Sequence, residues 1–233
     1  KLLKNFFRLG KVSESWMYDN VTGDIRLDYL TGQFDLEKQK PIIDSIKGEV
    51  TIKDAKIRFH NNAKTVDTNK LKIKYKNDNL SFNLENPIYN NSRLYGSEIN
   101  IKNLSSLKNG EVNVLIKSDS LLNDDILEIL KAYKINLPLF QKSGKLDSSL
   151  HIKIPYQLSK KMHFDGIFKL NNADLKLNDF EFFAKKADIV LKDSVVTISN
   201  SELKHKDILS ANLNLEINTK DSTASGEAKI NSF

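Results

Sequence analysis

The stretch Leu71-Lys72-Ile73-Lys74-Tyr75-Lys76-Asn77-Asp78-Asn79-Leu80-Ser81-Phe82-Asn83-Leu84 decides the fold. Leu71, Ile73 and Tyr75 alternate with lysines, and Leu80, Phe82 and Leu84 alternate with Ser81 and Asn83. Successive side chains of a strand point to opposite faces, so this period of two puts every apolar residue on one face and every polar one on the other. Asn77-Asp78-Asn79 supplies residue types that tolerate a tight turn. Two strands, a turn and one wet face describe an antiparallel hairpin.

The pattern extends in both directions. Upstream lie Ile25, Leu27 and Tyr29, then Val50 and Ile52, then Ile57 and Phe59. Downstream lie Ile99 and Ile101, then Val112, Val114 and Ile116, then Leu150, Ile152 and Ile154. The alternation resumes in Phe164, Phe168 and Leu170, in Leu175 and Leu177, in Ile189 and Leu191, and in Leu209, Ala211, Leu213, Leu215 and Ile217. Asn61-Asn62 and Asn171-Asn172 read as turns or bulges. The chain is predicted to be all-β and mainly antiparallel, with about fifteen strands.

Two segments match without gaps. Gly48-Glu-Val-Thr-Ile-Lys-Asp-Ala-Lys-Ile-Arg-Phe59 aligns with Gly166-Ile-Phe-Lys-Leu-Asn-Asn-Ala-Asp-Leu-Lys-Leu177, which reads as an internal repeat. Alternation slips by one residue at Ala55 and at Ala173, as it does at a β-bulge or a tight bend. Gly48 and Gly166 are expected at strand starts, where a missing side chain permits close backbone approach.

One helix is expected near residues 123–134. Leu122, Ile126, Ile129, Leu130 and Tyr133 fall on one helical stripe. Asn123 suits the N-cap, and Asp124 and Asp125 suit the positive end of the helix dipole. Lys131 and Lys134 sit at the other end, and Asn136 and Pro138 stop it. The stripe should pack on the sheet or plug one end of it. Residues 1–20 read as a connecting segment ahead of a single region at 21–233. Leu2, Leu3, Phe6 and Phe7, beside Lys1, Lys4 and Arg8, fit either a docked terminus or a contact with a membrane surface.

Composition narrows the function. The 233 residues suit one large β domain or two small ones. Without cysteine there is no disulfide and no thiolate metal site. The net charge of +6 comes from lysine, with arginine only at positions 8, 26, 58 and 93. Nucleic-acid readers favour the planar arginine fork, whereas lysines alternating along strands describe a solvated sheet face, so no nucleic-acid partner is expected. His60, His151, His163 and His205 are isolated, with no pair at metal spacing. No nucleophile elbow, phosphate loop or dinucleotide fingerprint occurs. Asp124, Asp125 and Glu128 are what a helix start needs, and no catalytic residue and no cofactor are expected.

The order of features resembles the AsmA-like superfamily of Gram-negative bacteria, nearest the central region of its YhdP branch and more distantly TamB. Trp16 precedes Gly23-Asp-Ile-Arg-Leu27, Gly32 and Phe34. The segment Gly48 to Phe59 follows, then Asp67, Leu71 and Leu94-Tyr-Gly96 leading into Ile99 and Ile101. The helix with Leu127 and Leu130 precedes Gly144 and Leu150-His-Ile-Lys-Ile-Pro155; Gly166 to Leu177 and Ala187, Ile189 and Leu191 close the series. The resemblance implies an elongated, curved sheet forming a hydrophobic groove. It implies a fragment of a longer periplasmic protein, anchored to the inner membrane outside this chain and carrying phospholipid towards the outer membrane.

Under that resemblance the candidate lipid-lining residues are Ile25, Leu27, Val50, Ile52, Ile57, Phe59, Leu71, Ile73, Leu80, Phe82, Ile99, Ile101, Val112, Val114, Leu150, Ile152, Phe164, Phe168, Leu170, Leu175, Ile189, Leu191, Leu213 and Leu215. An apolar sheet face must be covered. One helix is a small cover, so the remainder is met either by lipid or by a second sheet. The second case is a closed β-sandwich serving as a binding or scaffolding module, with sheets about 10 Å apart.

Overall fold

A computed structural model describes residues 20–232 except 107, 134, 136–138, 158, 178 and 207, and without the side chains of Ile43 and Leu177. The N-terminal segment with Trp16, and the helix-stop residues Lys134, Asn136 and Pro138, lie outside the described residues.

The described strands form one sheet of fifteen. They are β1 (Val21–Asp35), β2 (Lys40–Ile57), β3 (Val66–Lys76), β4 (Asn79–Glu85), β5 (Ile88–Tyr89), β6 (Ser92–Arg93), β7 (Glu98–Lys102) and β8 (Glu111–Ser118). After helix α1 (Asp124–Ala132) come β9 (Leu139–Gln141), β10 (Lys145–Pro155), β11 (His163–Leu177), β12 (Phe180–Lys192), β13 (Val195–His205), β14 (Leu209–Asn218) and β15 (Thr223–Ser232). Neighbours run β1-β2-β3-β4-β7-β8-β10-β11-β12-β13-β14-β15, all antiparallel. The short β5–β6 hairpin hangs beside β3, and β9 pairs with the end of β11. At about 4.8 Å per strand, the main path measures about 50 Å around the sheet. No second sheet forms among the described residues, so the two-sheet sandwich is not the architecture.

Register carries the alternation across strands. Leu27, Val50, Ile73, Phe82, Ile99, Val114, Ile152 and Phe164 stand directly opposite one another in eight successive strands. A second row continues from Ile116 through Leu150, Gly166, Leu191 and Val196 to Ile217. A third joins Phe168, Ile189, Ile198 and Leu215. Apolar rows therefore run along the sheet, across its strands.

The predicted phase slips fall at breaks in the ladder. Asp54 has φ of +48° and Asn172 has φ of +47°, and each is skipped in the pairing register together with the residue opposite, Asn69 or Lys185. Asp and Asn enter this left-handed region more readily than other non-glycine residues. Both strands of each pair change phase together, and the inward set moves from Val50 and Ile52 to Ala55 and Ile57, and from Phe168 and Leu170 to Ala173 and Leu175. Against β1, β2 carries one extra residue at this point, a β-bulge. Gly144, at φ +92°, brings the start of β10 against the second slip; a Cβ there would lie 2.1 Å from the Asn172 carbonyl oxygen.

Gly48 and Gly166 lie within β2 and β11 rather than at their starts. Each makes room for side chains. A Cβ on Gly48 would meet Leu30 Cδ1 at 3.2 Å, and one on Gly166 would meet the Phe168 ring at 2.8 Å.

The connections differ between the two rims. On one rim β3–β4 and β12–β13 turn in two residues, Asn77-Asp78 and Asp193-Ser194. The two longest excursions, residues 86–97 and 119–144, leave from the other and include β5, β6, α1 and β9. The helix matches its predicted range closely. Asn123 caps it, accepting the Ile126 N–H at 3.2 Å, with Asp124 and Asp125 in the first turn and Lys131 in the last.

Candidate functional site

Among the described residues, the apolar face is covered in its middle and bare at both ends. Ile126, Ile129 and Leu130 of α1 and Tyr133 at its C-cap are buried in one cluster with Ile57, Phe82, Ile99 and Val114 of the sheet. Leu94, Leu104 and Leu122 from the connections complete it. On the rim opposite the 119–144 excursion, the Tyr156 ring packs over Gly110, where a Cβ would lie 2.2 Å from it.

Aromatic contacts across the cover show how far the sheet curls. Phe59, just past β2, has its ring centroid 6.3 Å from that of Tyr133, and Phe164 of β11 is 6.5 Å away from the same ring. Six strand spacings separate β2 from β11 along the sheet, about 29 Å. One tyrosine reaches both only because the sheet curves toward its apolar face. Tyr89 packs on Phe59 at 5.8 Å, and His60 on Tyr133 at 5.0 Å.

Polar contacts of the helix lead to the neighbouring loops. Asn90 Nδ2 donates to Asp125 at 2.7 Å, and the Asn91 N–H and Ser92 hydroxyl donate to its other oxygen. The Tyr89 hydroxyl donates to Glu128 at 2.7 Å and accepts the Lys64 N–H at 3.1 Å. Burial, reinforced by Glu128, pushes the Tyr89 phenol well above its ordinary pKa. The Lys64 ammonium also reaches Glu128, at 3.5 Å. The acidic residues at the helix start thus hold it to β5–β6.

The candidate lining residues all lie on the inner side, but in different surroundings. Ile52, Ile57, Phe59, Leu71, Leu80, Phe82, Ile99, Ile101, Val112, Val114, Leu150, Ile152, Leu170, Leu175 and Leu191 are buried. Val50, Ile73, Phe164, Phe168, Ile189, Leu213 and Leu215 are half-buried. Ile25 and Leu27, at the β1 edge, are 62% and 58% exposed. Val196, Ile198 and Ile217 share the bare stretch on β13 and β14 and belong with this set by register. The consecutive apolar pair Val195-Val196 hides the alternation of Val196 and Ile198 in the sequence.

The opposite face is mainly polar, with Ile167 and Val190 exposed on it. The Glu49 carboxylate lies between Lys72 Nζ at 3.0 Å and Lys74 Nζ at 3.4 Å, and the Lys72 hydrogen bond lowers its pKa. Glu202 sits likewise between Lys185 and Lys186. His151 lies in β10 and contacts Asn113 at 3.2 Å, its pKa lowered chiefly by burial. Among the described residues no three His, Asp or Glu side chains gather as metal ligands, and no helix is long and apolar enough to cross a membrane.

A family model described as YhdP protein matches residues 9–233. The chain belongs to the YhdP family. Comparisons with curated proteins and with solved structures gave no match. Membership puts this curved sheet among AsmA-like proteins related to lipid transport. In YhdP-family terms, the inner face is the surface to be explained, and α1 with its loops divides it into a covered middle and two bare ends.

Proposed function

We propose that this chain is a segment of an intermembrane lipid-transfer protein, and that its inner face shields phospholipid acyl chains across the periplasm. The observation that carries this reading is the unbroken apolar row from Leu27 to Phe164 together with the bare continuation formed by Val196, Ile198, Leu213, Leu215 and Ile217. Burying a methylene is worth about 0.8 kcal/mol, so a sixteen-carbon chain gains up to about 12 kcal/mol before ordering costs. That attraction has no direction, so hydrocarbon slides along such a row without breaking specific bonds. Headgroups stay at the wet rims. The inner-membrane anchor and the contacts with each membrane belong to parts of the protein outside this fragment.

Mass spectrometry of the gently purified protein tests the reading. Phospholipid retained at defined stoichiometry supports it. A preparation that stays folded and carries no lipid, even after incubation with phosphatidylethanolamine and phosphatidylglycerol vesicles, overturns it.

A further inference from the structure

We infer that α1 is a displaceable lid over the middle of the groove, lifting as hydrocarbon passes from one bare end to the other. The inference rests on the lipid-carrying reading above and adds the regulation of that same surface.

Three features of the helix support it. First, its directional bonds run sideways. Asp125 and Glu128 are held by Asn90, Asn91, Ser92, Tyr89 and Lys64, all on neighbouring connections, while the helix meets the sheet itself through Ile126, Ile129, Leu130 and Tyr133. Apolar contacts are non-directional, so lifting α1 trades one hydrocarbon contact for another. Its tie to the sheet lies ahead of the helix, where Leu122 exchanges hydrogen bonds with Gln141 of β9 and serves as the hinge. Second, the seal is imperfect. A crevice of about 30 Å³ lies beside Ile129, walled by Ile57, Phe59, Ile99 and Val114. Interiors are otherwise close-packed, and unfilled space weakens the contact across it. Third, the Tyr133 hydroxyl is buried and makes no hydrogen bond among the described residues, in a residue only 4% exposed. A buried donor left unpaired destabilises the state that buries it. Opening returns that hydroxyl to water or to a lipid ester.

Position gives these features their meaning. The row from Leu27 to Phe164 passes beneath α1, with exposed Ile25 and Leu27 at one end and half-buried Leu213 and Leu215 beyond the other. Hydrocarbon moving between the two ends meets the helix.

A reversible lock tests this. The chain has no cysteine of its own, and the Ser92 hydroxyl lies 3.3 Å from an Asp125 oxygen, so Ser92→Cys with Asp125→Cys places one disulfide between helix and hairpin. The protein is incubated with phosphatidylethanolamine–phosphatidylglycerol vesicles containing a phosphatidylethanolamine with a photoreactive diazirine on its acyl chain, and the labelled peptides are mapped. With the disulfide reduced, label is expected both in residues 98–118, beneath the lid, and in residues 195–218, beyond it. Oxidation should lower the first about tenfold or more, leave the second unchanged, and be reversed by dithiothreitol. Equal labelling of 98–118 in the locked protein overturns the lid. So does a free lid that leaves 98–118 unlabelled while 195–218 reacts. Failure to label either segment with the lid free sinks the lipid-carrying reading, and the lid falls with it. Tyr133→Phe, which removes the unpaired hydroxyl, should lower labelling of 98–118 about five- to tenfold with 195–218 unchanged; an unchanged or higher value counts against the lid.

Discussion

The Ser201 hydroxyl accepts the main-chain N–H of Leu213 at 2.6 Å and donates to the carbonyl of that same residue at 2.7 Å. Asn200, at φ +48°, throws β13 out of register between Ile198 and Leu203, and Leu213 lies opposite the gap. A side chain thus replaces the missing ladder bonds at the point where the bare part of the groove turns. Ser201→Ala leaves both groups of Leu213 without that partner. The expected cost is about 1–3 kcal/mol, read as a lower urea midpoint at unchanged slope. A midpoint equal to the parent's would mean that the hydroxyl is not holding the bend.

The phase slips at Asp54 and Asn172 yield a second prediction. Both residues sit near φ +48°, where a β-branched side chain is strained. Asp54→Val and Asn172→Val should each cost about 1–2 kcal/mol, whereas Asp54→Gly and Asn172→Gly should be close to neutral. Thermal unfolding of the four variants is the measurement, and equal melting temperatures for valine and glycine at either site would remove the conformational explanation.

These slips also mark how much the sequence discloses. Period two revealed the strands, and the loss of phase ahead of Ala55 and Ala173 revealed where the ladder breaks, because a strand with one buried face records its register in every second residue. Asn123 and the two aspartates located the helix start to within a residue, since unsatisfied N–H groups select those side chains. The cover was not legible in the same way. Tyr89, Ser92 and Leu94 carry no periodicity, being brought to α1 only by the long connection between β4 and β7. Nor did alternation separate buried Ile52 from exposed Ile25, its direct partner across β1 and β2. Both fit an inward face; what lies over that face is decided by loops far away in the chain.

That difference sets a third prediction. Ile52 is 3% exposed beneath the cover, so Ile52→Asp buries an unpaired charge and should destabilise the protein by several kcal/mol or prevent folding. Leu215 lies half-buried on the bare stretch, and Leu215→Asp should fold with a melting temperature within a few degrees of the parent's. It should nevertheless lose most of its bound phospholipid. Thr197→Asp, on the exposed opposite face of the neighbouring strand, should retain it. Calorimetry and lipid quantification on the same samples check both halves, and equal lipid retention by Leu215→Asp and Thr197→Asp would remove the bare stretch from the lipid path.

A fourth prediction concerns acid. His60 packs against Tyr133 with ring centroids 5.0 Å apart, and its Nδ1 accepts the Asn62 N–H at 3.1 Å. Burial lowers its pKa below the ordinary 6.5. The folded protein therefore favours the neutral ring, the form whose Nδ1 lone pair is free to accept. A group with a depressed folded pKa stabilises the fold fully above its unfolded value and loses that contribution as pH falls. The loss begins as pH drops through about 6.5 and is complete once pH is below the lowered folded value. His60→Asn cannot titrate, so the melting temperature of the parent minus that of the variant should shrink between pH 8 and pH 5.5. His151, also depressed by burial, is present in both proteins and cancels in the difference. Amide exchange in residues 59–65 should quicken in the parent over the same interval, beyond the intrinsic pH dependence measured in the variant. A melting-temperature gap that widens toward acid would show that the charged ring is the form the cover prefers.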